Sequence, residues 1–187
     1  MRYAGIVVLF LALQGCIATY RDFPIQGLER RAPQGEYTKL SYNIKRFDIL
    51  DMGGYEKLRE VFRKADFLEE ADNVATMKSG GTYVEVETKW KPLSLPALVF
   101  GYISVSTLTL LPAWSTQDGY LVKYRLFVNG KEEKVFTYEI TRKAGVWLLF
   151  LPLAWVNLFT YSEADAFEAT AYQFFQDAGP LLARSRN

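Results

Sequence analysis

YEKLREVFRKADFLEEADNVATMKSGGTYVEVETKW, residues 55–90, carries two hydrophobic periods in succession, and the change between them decides the fold class. Tyr55, Leu58, Val61, Phe62, Ala65 and Leu68 recur at three and four residues, which is one face of an α-helix. Glu56, Arg59, Glu60, Arg63 and Lys64 fill the opposite, solvated face. The pattern predicts a helix from near Tyr55 that ends before Gly80-Gly81. From Thr82 to Trp90 the period drops to two: Tyr83, Glu85, Glu87 and Lys89 oppose Val84, Val86, Thr88 and Trp90, a half-buried strand. Upstream, Tyr37 to Leu50 reads as another strand, with Leu40, Tyr42, Ile44 and Arg46 alternating against Ser41, Asn43, Lys45 and Phe47. Asp51-Met52-Gly53-Gly54 breaks it, and Asp51 is placed to cap the helix. The first half of the chain is therefore expected to be β-α-β.

Downstream, Tyr120 to Val128 and Val135 to Thr141 read as two strands around Asn129-Gly130, the residue pair that best accepts the positive φ angles of a primed hairpin turn. Lys131-Glu132-Glu133-Lys134 is expected at the wet tip of that hairpin. Glu163 to Ala183 predicts a closing helix, with Ala166, Ala169, Tyr172 and Phe175 facing inward and Ser162 as its cap. The fold class is α+β: one domain, β-α-β, then an apolar strand, a β-hairpin and carboxy-terminal helical segments over residues 37–187.

Two long runs carry no charge, 92–117 and 144–162. Pro96, Gly101 and Pro112 interrupt the first, and Ser104 to Thr109 is β-branched and rich in hydroxyls, so most of it is expected to be a buried strand between the two prolines. The second places Trp147, Trp155 and Tyr161 near its ends, as in an interfacial aromatic belt, with Pro152 in its middle. Two destinations stay open. The runs form the core between sheet and helices, or part of Val146–Phe159 meets a membrane or a partner through Trp147, Phe150, Trp155 and Phe159.

Composition narrows the chemistry. The 187 residues are 50% hydrophobic and 16% aromatic, enough for a well-packed core, and the formal net charge is +1. A near-neutral chain whose only basic cluster is Arg30-Arg31 gives no nucleic-acid footprint. With no histidine and one cysteine, an imidazole-activated nucleophile, a Cys/His zinc site and an internal disulfide are all excluded. Glu85 with Glu87, and Asp48 with Asp51, are the carboxylate pairs to test for acid–base work; on alternating strands such residues are ordinary wet-face side chains. Gly53-Gly54 and Gly80-Gly81 lack the spacing and lysine of a phosphate loop. No catalytic residue, metal or cofactor is expected, and the chain reads as a non-enzyme.

The amino terminus carries the most specific signal. Arg2 precedes the apolar stretch Ala4–Leu13, which is too short for a spanning helix of about 20 residues and suits the apolar part of a signal peptide. Leu13-Gln14-Gly15-Cys16 follows, and it resembles the lipobox of bacterial lipoproteins, with Gln14 where a small residue is commoner. The resemblance implies removal of residues 1–15, a diacylglycerol on the Cys16 thiol and acylation of the new amino terminus. Several acyl chains together give the stable anchoring that one does not. Ile17 and Ala18, in place of an aspartate after the cysteine, imply the outer membrane, with the domain facing the periplasm. Residues 16–36, turn-rich and without a period, are expected to be a tether. LREVFRKADFLEEAD, within about 37–90, also resembles the small strand-helix-strand modules of envelope lipoproteins and assembly factors, and no active residue follows from that. The expected role is non-enzymatic binding or scaffolding in an envelope assembly, with a membrane partner through Cys16 and a protein partner besides. The alternative is a small membrane-embedded component of a transport or secretion complex that uses both apolar runs.

Overall fold

The computed structural model describes residues 16–20, 28, 30, 40–46, 53–71 and 81–184, and they form the mixed α+β fold that the change of period predicts. Six strands make one sheet: β1 Cys16–Thr19, β2 Leu40–Ile44, β3 Leu68–Glu70, β4 Thr82–Lys91, β5 Ala113–Val128 and β6 Lys131–Val146. Their order across the sheet is β1-β6-β5-β4-β2-β3. The helices are α1 Gly54–Arg63, α2 Leu95–Ser106, a 3-10 helix Leu148–Phe159 and α3 Glu163–Arg184. By internal packing the chain divides into a core unit (Phe23–Trp90, Tyr120–Ile140, Glu163–Asn187) and an apolar unit (Met1–Asp22, Lys91–Gly119, Thr141–Ser162).

In the core unit, β2 lies parallel to both β3 and β4, with Leu40 beside Leu68 and Tyr42 beside Val84. Leu40, Tyr42 and Ile44 are buried as their alternation predicts, and Leu58, Val61 and Phe62 of α1 turn inward. Phe62 is the hub: its ring meets Tyr42 edge-on at 5.1 Å and stacks on Tyr124 and Phe174 at 6.2 and 6.4 Å. Tyr124 and Phe174 stack in turn at 4.6 Å. Each such ring, fully buried, contributes about 1.5–3 kcal/mol of transfer free energy.

A polar row closes this core. Tyr120 donates to Glu163 Oε2 at 2.8 Å, Tyr124 lies 2.7 Å from Thr170 Oγ1, and Tyr138 donates to Asp177 Oδ2 at 2.8 Å. Glu163, Thr170 and Asp177 stand seven residues apart on α3. Seven residues are nearly two helical turns, so one stripe of the helix receives all three phenols. Ala166, Ala169 and Phe175 are buried as expected; Tyr172 is only half-buried, and Phe167 and Phe174 take the deeper places.

Several boundaries differ from the sequence reading. Helix α1 stops at Arg63, and Leu68, expected on its inner face, opens β3 instead. Asp66, Glu69 and Glu70 would put negative charge at the negative end of a longer helix. Leaving the helix lets Leu40 N–H donate to Phe67 O at 2.8 Å and Ala71 N–H to Tyr42 O at 2.9 Å. The cap of α1 is Gly53 at φ 103°, with no side-chain cap bond; Asp51, Asp48 and the ends of the expected 37–50 strand lie outside the described residues. Asn129 and Gly130, at φ 50° and 77°, form the hairpin turn. Lys131–Lys134 are not its tip: they are already exposed residues of β6, because the two-residue turn carries the chain straight back into the ladder.

In the apolar unit, β1 runs antiparallel to the end of β6, with Cys16 opposite Val146 and Thr19 opposite Lys143. Cys16–Thr19, expected to begin the tether, are thus an edge strand; the other described tether residues, Tyr20, Leu28 and Arg30, belong to no strand or helix. The run 92–117 is not a buried strand. It forms α2, a turn through Leu108 and Thr109 at φ 52° and 61°, and the first residues of β5. Ser94 caps α2 through Ala97 N–H, and Pro96 occupies its first turn, where a missing N–H costs nothing.

Candidate functional site

The candidate site is the apolar unit and the cysteine it holds. Cys16 is the first residue of β1, and Asn157 of the 3-10 helix fastens it there. Asn157 Nδ2 donates to Cys16 O at 2.7 Å, while its Oδ1 accepts from Ala18 N–H at 3.0 Å. One side-chain amide thus serves as the missing neighbour of an edge strand. Tyr20 N–H donates to Tyr161 O at 3.1 Å and extends the same junction. Burial pushes the Cys16 thiol up, partly offset by the charge of Arg142, so the free side chain is a poor thiolate.

The two charge-free runs meet in this unit. Leu148 N–H donates to Thr109 O at 2.9 Å, and Trp147 Nε1 donates to Leu110 O at 3.0 Å. Phe100 stacks on Trp114 at 5.4 Å, and Trp147 meets Phe150 edge-on at 5.7 Å. Among the described residues every exposed large apolar side chain except Val135 lies between Leu93 and Trp114 or between Leu149 and Tyr161. Of the four contact candidates, Trp147 and Phe150 are half-buried, while Trp155 and Phe159 are 58% and 80% exposed. Sequence reasoning did not single out Leu158, which is 82% exposed, nor the outer side chains of α2. The signal available for α2 was Ser94 followed by Pro96, a helix start in a run with no period of its own.

The hydroxyls of Ser104, Ser106 and Thr107 are spent internally. Ser104 Oγ donates to Leu111 O at 2.7 Å, Ser106 Oγ to Tyr102 O at 2.8 Å, and Thr107 Oγ1 to Ile103 O at 3.0 Å. The charges where the runs end are also engaged. Asp118, fully buried, accepts from Arg142 Nε at 2.7 Å and from the Ser115 hydroxyl.

Glu85 and Glu87, the tested carboxylates among the described residues, belong to the core unit and are held as ion pairs. Glu85 is buried, with Lys45 Nζ at 2.9 Å and Arg125 at 3.6 Å; Glu87 takes Arg125 at 2.9 Å. The β4 face that carries Tyr83 and Glu85 is less wet than its alternation suggests, and the partly exposed Lys45 and Arg125 cover the buried acid. Arg30 faces Glu168 at 3.8 Å. Gly54, whose pair with Gly53 lacks the spacing of a phosphate loop, lies against Phe167. Among the described residues no group of acids and cysteine could hold a metal ion, and no helix is long and apolar enough to cross a membrane. Comparison with family models, curated proteins and solved structures finds no match.

Proposed function

We propose that this chain is a lipid-anchored protein of the bacterial envelope with a non-enzymatic binding or scaffolding role, its acyl chains on Cys16 in the outer membrane and its folded part facing the periplasm. The observation that carries the reading is the position of Cys16. It heads β1, clamped by Asn157, so lipid on it would emerge from the surface of the apolar unit. The lipobox-like Leu13-Gln14-Gly15-Cys16 supplies the chemistry of attachment. The ion pairs that hold Glu85 and Glu87 favour binding over acid–base catalysis. A second reading, a small membrane-embedded component of a transport or secretion complex, draws on the exposed side chains of both apolar runs.

Metabolic labelling with palmitate tests the anchor. The wild-type chain is expected to take up label and to fractionate with the outer membrane, and Cys16→Ser to take up none. An unlabelled wild-type chain would end the lipoprotein reading.

A further inference from the structure

We propose that the apolar unit is a monotopic membrane-docking surface: α2 and the 3-10 helix enter the hydrocarbon of one leaflet, a second anchor beside the lipid on Cys16. The proposal rests on the lipoprotein reading only for which leaflet is entered.

The occupant follows from how the side chains are exposed. At about 100° per residue, Leu98, Val99, Phe100, Tyr102, Ile103 and Val105 cover well over half the circumference of α2, and Ser104 is its one buried side chain. A folded protein partner covers a stripe of a helix, whereas a fluid apolar medium covers it on every open side. The 3-10 helix has no buried residue at all. Nothing charged occurs from Pro92 to Gln117 or from Ala144 to Ser162, so nothing on this surface steers a charged partner.

The hydroxyls at the end of α2 and the Asn157 amide are partnered as hydrocarbon requires. A hydroxyl or amide without a partner there costs several kcal/mol. Ser104, Ser106 and Thr107 donate to carbonyls of their own helix and turn, and Asn157 is used twice on β1. Length fixes the depth. At about 1.5 Å per residue, 12-residue α2 is roughly 18 Å long, against a hydrocarbon core of about 30 Å. It can occupy one leaflet and not cross two. Trp155 and Tyr161, half or more exposed, suit the level of the headgroups.

The test uses the full-length chain with a conventional cleavable signal and Cys16→Ser, so that no lipid is attached. Floated with neutral phosphatidylcholine vesicles, it is expected to rise with them, and to do so equally at high salt. Leu158→Lys with Phe159→Lys, at sites too exposed to disturb packing, is expected to lower partitioning roughly 50-fold per charge. Brominated acyl chains are expected to quench Trp155, shown by loss of the quenched component in Trp155→Phe. If the unlipidated chain stays in the aqueous fraction, the proposal falls, even where palmitate labelling of the wild type succeeds. If it floats while the wild type takes no label, docking stands and the lipoprotein reading falls. If it instead forms dimers that the double lysine variant abolishes, the surface is a protein interface and the proposal is overturned.

Discussion

Gly54 shows how much one hydrogen in place of a methyl can decide. A Cβ at this position would press into the Phe167 ring, 2.7 Å from Cε2, and lie 3.1 Å from Glu163 Oε1. Phe167 is fully buried and packs edge-on against Tyr120 at 5.0 Å, so the ring cannot swing aside. Alanine gains up to about 1 kcal/mol of helix propensity over glycine, but overpacking a rigid core costs about 1–3 kcal/mol. Gly54→Ala is therefore expected to destabilise the chain by up to about 2 kcal/mol, lowering the urea midpoint at unchanged slope. A raised midpoint would show that α1 and α3 can separate at that point without cost. The sequence marks Gly53-Gly54 as a break before the helix; that Gly54 is also a contact is visible only once α3 is in place.

Between elements, the tie from α1 to β3 runs through Glu70. Arg59 and Arg63 reach its two oxygens at 2.9 and 3.2 Å. Burial alone would raise the Glu70 carboxyl, yet its bonds to Arg59 and Arg63 outweigh that and hold it below the usual 4.5. A carboxyl lowered on folding stabilises the fold above its ordinary value, and that stability is lost as pH falls through the folded value. Glu70→Gln is expected to cost about 0.2–1 kcal/mol at neutral pH, the range of partly exposed pairs, and less in high salt. Urea midpoints of variant and wild type should converge as the pH drops below the ordinary carboxylate range. A gap that persists in acid would mean that Glu70 acts by packing. The same stretch shows where sequence patterns reach their limit. Alternation locates β2 and β4, and Asn129-Gly130 the hairpin turn, because a sheet with one buried face writes its period into the chain. Leu68 fits both a helix face and the first position of β3, and only pairing with Leu40 decides between them. Residues 95–106 are apolar on every side, so no period distinguishes helix from strand there, and Ser94 with Pro96 is the only local mark. The site was legible in part: Trp155 and Phe159 stood out as aromatics, whereas Leu158 and the outer side of α2 depend on what the fold leaves uncovered.

At the scale of the whole molecule, tyrosines join strands from three parts of the chain to the helices, and their titration reads out whether the core holds. Burial raises Tyr42, Tyr124 and Tyr138, and pushes Tyr83 up to about 12; the Glu70 charge adds to the rise at Tyr42, and the Asp177 bond and charge to that at Tyr138. All four phenols are neutral in the folded chain where an unfolded one, at about 10, has begun to ionise. Their contribution to stability is complete below that value and is lost as the pH rises through the folded ones. Above about pH 10, each tyrosine still held neutral lowers the free energy of unfolding by about 1.4 kcal/mol per pH unit. Tyrosinate absorbance is therefore expected to rise in two stages. Phenols that ionise without unfolding come first, and a later, steep step coincides with loss of the far-ultraviolet dichroism of the sheet and helices. Tyr138→Phe removes one of the opposing ionisations together with the Asp177 bond, so its steep step should be smaller in amplitude, and its dependence on pH shallower, whatever the change in neutral stability. One smooth titration near pH 10 with the dichroism intact would mean that the phenols of β2, β4, β5 and β6 reach water without unfolding. The row Glu163, Thr170, Asp177 would then not be what closes the core.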